Sequence, residues 1–197
     1  MTSEFPKATD LGVIERRGFL RNAGFMVVSL SAIGAASPVA AATQTGSDSE
    51  SDVNVMQGAL AIEHEGIAAY RIAGGSGLLT PGTLKIATIF MGHHQQHRDS
   101  LEALIQKAGG SPVAPKSDSQ YAQELNLSAL KSEGDVIALA TKLEQGATNA
   151  YAGQVAALQS HQLTHLFTQL CADEAVHWAT LNNAMGVPIP AKAYLFG

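Results

Sequence analysis

The chain carries the same helical pattern twice, and this repeat limits the folds that it can adopt. A Glu is followed seven residues later by a Tyr in both copies, as Glu63–Tyr70 and as Glu144–Tyr151. A His follows each Glu after a similar interval, 34 residues in the first copy and 33 in the second. Apolar residues recur at steps of three or four around these positions, which is the spacing of one helix face. The sequence therefore predicts a duplicated unit of two helices.

Polar residues interrupt the apolar face of the second helix in each unit. Glu174 and His177 are three residues apart on a face otherwise formed by leucine and phenylalanine, and His94 and His97 have the same spacing. Side chains at i and i+3 can reach one point in space, and a carboxylate with an imidazole suits iron, manganese or zinc. A solvated pair on the helix surface is the alternative interpretation of Glu174-x-x-His177 taken alone.

Composition excludes several classes of protein. The 197 residues carry a net charge of −5 with no basic cluster beyond the N-terminus, so nucleic acid is not an expected partner. The single Cys171 rules out an intramolecular disulfide framework and any site built from several cysteines. We expect it to be a small buried residue.

Residues 1–42 are predicted to be an export signal. The segment Glu15–Arg21 contains Arg16-Arg17 and closely resembles the twin-arginine motif, and a short apolar stretch and the small residues Ala40–Ala42 follow it. An uncleaved anchor or a chance arginine pair is the alternative. The resemblance implies recognition by the twin-arginine export machinery, a periplasmic or otherwise exported location, and no membrane contact after processing.

The remaining chain divides into three parts. We expect a flexible spacer over 43–52, a helical bundle over 53–186, and an extended tail over 187–197 that begins at Val187-Pro188-Ile189-Pro190. Four helices are predicted within the bundle, over about 53–73, 80–108, 133–159 and 161–185. Only the link between the second and third helices is long enough to cross the bundle, and it has a short helical turn near Tyr121. The predicted fold class is all-α, a four-helix bundle with one long crossover.

These features resemble the ferritin-like di-iron and di-manganese carboxylate family, and more narrowly its exported bacterial members. The likeness covers residues 53–185. It implies that Glu63 and Glu144 are single carboxylate ligands, that Glu174 bridges two metal ions, and that His97 and His177 are the imidazole ligands.

One position departs from the family pattern. His94 stands where the family has a second bridging Glu, so the site would contain three carboxylates and three imidazoles. A neutral imidazole removes one negative charge and cannot span two ions with two oxygens. The resemblance thus leaves open a single iron, or an unequal pair in which His94 binds one ion terminally.

Residues near these candidate ligands are given other roles. His64, Glu65 and His93 point away from the inward-facing side chains on a helical wheel, and we expect them at the surface. Tyr70 and Tyr151 lie two turns beyond their glutamates. They are either hydrogen-bond donors to the ligands or core aromatics, and the core interpretation is favoured.

Three functions fit this sequence. The first is redox chemistry of iron, or manganese, with dioxygen or peroxide, and no catalytic residue is assigned beyond the ligands. The second is oxidation of iron for storage or detoxification. The third is an envelope or stress protein in which His–Glu pairs replace the metal. A homodimer is one assembly that we keep open.

The export signal gives the first prediction. Replacing Arg16 and Arg17 together with lysine keeps the positive charge but removes the residues that the export receptor would read. We expect unprocessed precursor to accumulate in the cytoplasm, as measured by fractionation and immunoblotting. Processing and release of the double variant at the parent's level would rule out the twin-arginine signal.

Overall fold

The computed structural model describes residues 39–196, with side chains described from residue 49. Four long helices account for most of this range, and a short helix and a 3-10 turn lie between the second and third of them. The elements are α1 (Val39–Gly74), α2 (Pro81–Lys107), α3 (Asp118–Glu124), a 3-10 helix (Leu127–Ala129), α4 (Glu133–Val155) and α5 (His161–Ala184). Residues 39–196 include no strand.

The four long helices form the predicted bundle. Short links join α1 to α2 and α4 to α5, so each pair is an antiparallel hairpin. Helix α4 is also antiparallel to α1, because Tyr151 contacts Glu63 while Tyr70 contacts Glu144. Helices α2 and α4 therefore run in the same direction, and the link between them must cross the length of the bundle. This confirms the all-α bundle with one long crossover.

Side-chain caps fix where three of these helices begin. Thr80, Ser132 and Ser160 each accept a hydrogen bond from the backbone N–H three residues later, which satisfies a donor that has no partner within the helix. Pro81 at the first position of α2 has the backbone angle that a helix start requires.

The start of α1 differs from the sequence prediction. We expect a spacer over 43–52 and a helix from about Val53, but these residues belong to α1, which begins at Val39. Asp52, predicted as the last spacer residue, is buried and accepts the backbone N–H groups of Gln159 and Ser160 at 2.8 and 3.0 Å. This contact fixes the helix to the start of α5, and once one turn is fixed, adding further turns is easier.

The crossover is held along one side of α1. Three α1 residues spaced seven apart make the contacts. Gln57 forms hydrogen bonds with the backbone of Ser111 and Val113, and His64 Nε2 lies 3.0 Å from the Val113 carbonyl oxygen. Arg71 forms a salt bridge with Asp118. His64 is therefore buried, and its predicted surface position is wrong. The predicted helical turn near Tyr121 is α3.

The apolar core lies mostly on one side of the polar residues. It consists of residues from all four long helices and the α4–α5 link: Met56, Ala59, Leu60, Leu101, Ile105, Ala147, Tyr151, Leu158, Leu163, Phe167 and Leu170. No helix within residues 39–196 is both long and apolar enough to span a membrane. Residues 1–38, which hold the Arg16-Arg17 motif, lie outside the described residues, so the export signal stays a prediction.

Candidate metal centre

The structure brings all six candidate ligands together in the middle of the bundle. Each long helix contributes at least one of them, and none is more than 8% exposed. The six are Glu63 from α1, His94 and His97 from α2, Glu144 from α4, and Glu174 and His177 from α5.

These residues form two overlapping groups of four, each compact enough to hold an ion. One group contains Glu63 and His97, the other contains Glu144 and His177, and both include His94 and Glu174. Within each group, one ligand atom from every residue lies within 4.8 Å of the others. The first helix of each hairpin therefore supplies one Glu to its own group, as the duplicated sequence predicts.

Glu174 lies between the two groups with one oxygen facing each. Its Oε1 is 3.2 Å from His97 Nδ1, and its Oε2 is 3.1 Å from His177 Nδ1. This is the arrangement that a carboxylate needs in order to span two ions.

His94 also faces both groups, but through opposite edges of its ring. Its Nδ1 is 2.7 Å from Glu63 Oε2, and its Nε2 is 3.3 Å from Glu144 Oε1. Gly66 on α1 makes room for this ring, because a Cβ there would lie 3.1 Å from His94 Nδ1. The imidazole therefore occupies the space between two carboxylates on different hairpins.

The two tyrosines hold the glutamates of the opposite hairpin. Tyr70 donates a hydrogen bond to Glu144 Oε1, and Tyr151 donates one to Glu63 Oε1. The interpretation of these residues as core aromatics alone is therefore wrong. Sequence spacing places each Tyr on the same face as its own Glu, whereas its hydroxyl reaches the Glu on the neighbouring helix.

The two ligand histidines are oriented by the opposite hairpin in the same way. His97 Nε2 lies 3.2 Å from Asp173 Oδ2, and His177 Nε2 lies 2.9 Å from His93 Nδ1. When these Nε2 atoms carry the proton, each Nδ1 is left as a free acceptor facing the carboxylates.

The sequence analysis missed this role for His93 and Asp173. His93 is half-buried, not at the surface as predicted. The repeat could have revealed that His93 and Asp173 occupy corresponding positions of the two hairpins. They are 80 residues apart, the same interval as between His97 and His177. The third residue expected at the surface, Glu65, is half-buried.

Burial and neighbouring charges shift the pKa values of the cluster residues. Burial by itself lowers the pKa of His97, but the carboxylates of Glu174 and Glu63 outweigh it and raise this pKa to about 10. Burial raises the pKa of Glu63, but its contacts with His94 and His97 outweigh burial and hold that pKa below its usual value. Burial and the neighbouring Glu144 together raise the pKa of Glu174.

Two buried atoms at the centre have no hydrogen-bond partner, and their chemistry shows whether the site suits a cation. They are His97 Nδ1 and Glu174 Oε1, which face each other at 3.2 Å without hydrogen-bond geometry. An unsatisfied buried polar atom costs about 1–3 kcal/mol. Once His97 gives up its Nδ1 proton, a cation between these two atoms would satisfy both. A donor set of imidazole nitrogen with carboxylate oxygen suits iron, manganese or zinc. The residues present therefore fit a metal ion.

A pocket lies beside the cluster between α1, α2 and α4. Its volume is about 170 Å³, and His94, Glu144 and Tyr70 form part of its lining. Glu65 and Lys142 contribute charged groups to the same lining. Water and small polar solutes thus have an approach to the Glu144 side of the cluster.

Comparison with known proteins places this geometry in context. The profile of the ferritin-like domain family matches residues 51–187. The structure is similar to the crystal structure of a conserved hypothetical protein from Mycobacterium tuberculosis, with a TM-score of 0.63 and 22% identity, over 74% of this chain and 98% of that one. At this identity the likeness shows the fold alone. No curated protein matches the chain significantly.

The outer partners of the histidines give a second prediction. Residues that orient metal-bound histidines typically contribute 10–100-fold to metal affinity. We expect His93→Ala to weaken Mn(II) binding by about this factor, and Asp173→Ala to weaken it by about tenfold because water can replace an exposed carboxylate. Titration calorimetry measures both. Asp99→Ala, which removes an exposed carboxylate paired only with Arg98 in its own helix, is the control. Equal affinity in all four proteins would contradict the assigned roles.

Proposed function

This chain belongs to the ferritin-like domain family, and from that premise we propose that its buried cluster binds iron and supports redox chemistry with dioxygen or peroxide. Manganese is the alternative metal. The observation that carries the proposal is the pair of buried atoms without a hydrogen-bond partner, His97 Nδ1 and Glu174 Oε1, at the point where both ligand groups meet. A bound iron would supply electrons to the oxidant, and the protein would hold the ion and keep bulk water away.

Each cluster residue has a defined task in this proposal. Glu63 and Glu144 would each hold one ion, and the tyrosine hydroxyls keep one oxygen of each carboxylate in place. Glu174 would contribute to both positions, since its oxygens face different histidines. His97 and His177 would bind through Nδ1, with their outer nitrogens held by Asp173 and His93.

His94 makes the two metal positions unequal. Three carboxylates neutralise less than the charge of two divalent ions, whereas a fourth carboxylate at position 94 would complete the balance. The Nδ1 atom of His94 faces the half of the cluster that contains Glu63, and its Nε2 atom faces the half that contains Glu144. We propose that one position is filled more readily than the other and that His94 binds a single ion terminally.

We further propose that the protein acts outside the cytoplasm. The motif at Arg16-Arg17 supports this location, and the twin-arginine machinery would be its partner during export. Proteins with such signals are exported folded, so the metal would be inserted in the cytoplasm before export. Mature protein then needs no contact with a membrane or with nucleic acid.

A metal-free protein is the second candidate, and the position of His94 favours it. A protonated His94 donates from Nδ1 to Glu63 and from Nε2 to Glu144, so the ring can act as the cation that the carboxylates require. The cluster would then contribute to the stability of an envelope protein without catalysis. Leaving these carboxylates without any cation would cost several kcal/mol for each.

Metal content separates the two candidates. Elemental analysis of the natively exported protein is expected to find iron, at one to two atoms per chain. His94→Glu adds the fourth carboxylate and should bring the content closer to two, while Glu174→His removes the spanning group and should lower it. A destabilised His94→Glu protein with no gain in iron would rule out the two-metal site.

An exposed histidine supplies the control for this series. His165 lies on α5 away from the cluster, and His165→Glu makes the same chemical change at the surface. It should leave metal content and melting temperature unchanged. Parent protein exported with no metal would favour the metal-free candidate.

The pH dependence of stability gives an independent test. In the metal-free protein, the raised pKa of His97 means that its stabilisation is complete below pH 6.5 and is lost as the pH rises toward about 10. The pKa values of His94 and His177 are also raised by the surrounding carboxylates, against the effect of burial, so they act in the same direction. Metal binding has the opposite dependence, because the imidazoles must lose their protons to bind.

We therefore expect the two forms to diverge as the pH rises from 6.5. The free energy of unfolding of the metal-free protein should fall by several kcal/mol, since each pKa unit corresponds to about 1.4 kcal/mol. The manganese-loaded protein should keep its stability and exceed the metal-free form by about 4 kcal/mol when free metal is a thousandfold above its dissociation constant. Chemical denaturation at several pH values measures both. Superimposable curves after verified metal removal would show that no metal binds the folded state.

A further inference from the structure

Apolar side chains lie on both sides of the ligand cluster. The core cluster that includes Leu60, Leu101 and Phe167 fills the side toward the start of α5. The opposite side contains an apolar cavity of about 40 Å³ between α1, α2, α4 and α5. Tyr70, Ala73, Ile86, Phe90, Ala140 and Leu181 are among the residues that line it.

This cavity is partly open to solvent beside the exposed Ile86, and it offers water few hydrogen-bond partners among its lining side chains. Only Thr83 and Tyr70 carry polar side-chain atoms there. The Thr83 hydroxyl is 3.1 Å from Thr80 Oγ1, and the Tyr70 hydroxyl donates to Glu144. An apolar space of this kind favours apolar guests such as xenon over water.

The size of the cavity restricts the guest to a very small molecule. One water needs roughly 10–15 Å³ on the same measure, so the space admits two or three atoms of that size. A diatomic gas fits this volume, and an acyl chain or an aromatic metabolite does not.

One layer of aromatic side chains separates the cavity from the candidate ligands. The Phe90 ring stacks on His177 with centroids 4.0 Å apart, and the Tyr70 ring lies 5.5 Å from that of His94. Phe90 and Tyr70 meet edge to face at 6.2 Å. A guest in the cavity therefore lies directly behind groups that contact both halves of the cluster.

We propose that this cavity binds dioxygen and holds it next to the metal centre. The inference rests on the proposed function for the role of the gas, but the binding site itself depends only on the cavity. Peroxide forms hydrogen bonds and finds few partners here, so it would approach through the pocket that Glu65 and Lys142 line. The two oxidants thus have different approaches, and Tyr70 lines both.

Xenon tests the site without any metal. Xenon binding to the metal-free protein, measured by xenon NMR and located in crystals under xenon pressure, should place one atom among Tyr70, Phe90 and Ala140. Ala140→Leu fills the cavity and should lower xenon affinity at least fivefold. Ala138→Leu is the matched control, because Ala138 is exposed on the same helix and does not line the cavity. If Ala140→Leu does not fold, Ala87→Val fills the cavity from α2.

Oxidation of the iron-loaded protein tests the role of the gas. Ala140→Leu should raise the KM for dioxygen at least fivefold and leave the rate with peroxide unchanged, and Ala138→Leu should change neither. Absence of xenon from the parent, or equal slowing of both oxidants in Ala140→Leu, would overturn the proposal. Xenon binding by a protein that proves to contain no iron would support the gas site while removing the proposed redox function, so the two failures are distinguishable.

Discussion

Three carboxylates and three imidazoles buried at the centre of one bundle require mutual neutralisation or a cation. This requirement determines much of the surrounding structure. Gly66 has no side chain, which leaves room for the His94 ring. Tyr70 and Tyr151 donate hydrogen bonds to Glu144 and Glu63. In the absence of a cation the attraction leaves His97 Nδ1 and Glu174 Oε1 unsatisfied. Either a bound cation or the imidazoles in their protonated form can balance the three carboxylates.

The fold and the inward faces of all six cluster residues could be predicted from periodicity within a helix, and the resemblance to the ferritin-like family implied their role as candidate ligands. Spacing identifies which residues share a face, and duplication identifies which faces correspond. Contacts between helices are different, since they depend on which helix is the neighbour. The role of Tyr70, the burial of His64 under the crossover and the inclusion of residues 43–52 in α1 all follow from such contacts. Asp52, for example, is fixed by backbone groups more than a hundred residues away.

The two hairpins differ in chemistry at one dipeptide of the site. Asp173-Glu174 on α5 corresponds to His93-His94 on α2, so both the inner and the outer position hold a carboxylate in one hairpin and an imidazole in the other. The half that contains Glu144 faces His94 Nε2 and is supported by His93, whereas the half that contains Glu63 faces His94 Nδ1 and is supported by Asp173. The two halves therefore differ in both layers of the site.

Each hairpin depends on the other to complete its half of the centre. Tyr151 and Asp173 of the second hairpin contact Glu63 and His97 of the first. Tyr70 and His93 of the first hairpin contact Glu144 and His177 of the second. Two separate copies of one ancestral hairpin, related by a two-fold axis, would make every one of these contacts between subunits. Fusion of such genes into a single chain would preserve the contacts and remove the symmetry constraint. In a symmetric pair, a change from Asp-Glu to His-His would alter both sides at once and eliminate the spanning carboxylate. After fusion one side can change while Glu174 stays, so a His-rich half beside this carboxylate requires two copies that change independently, as the two hairpins of one chain can.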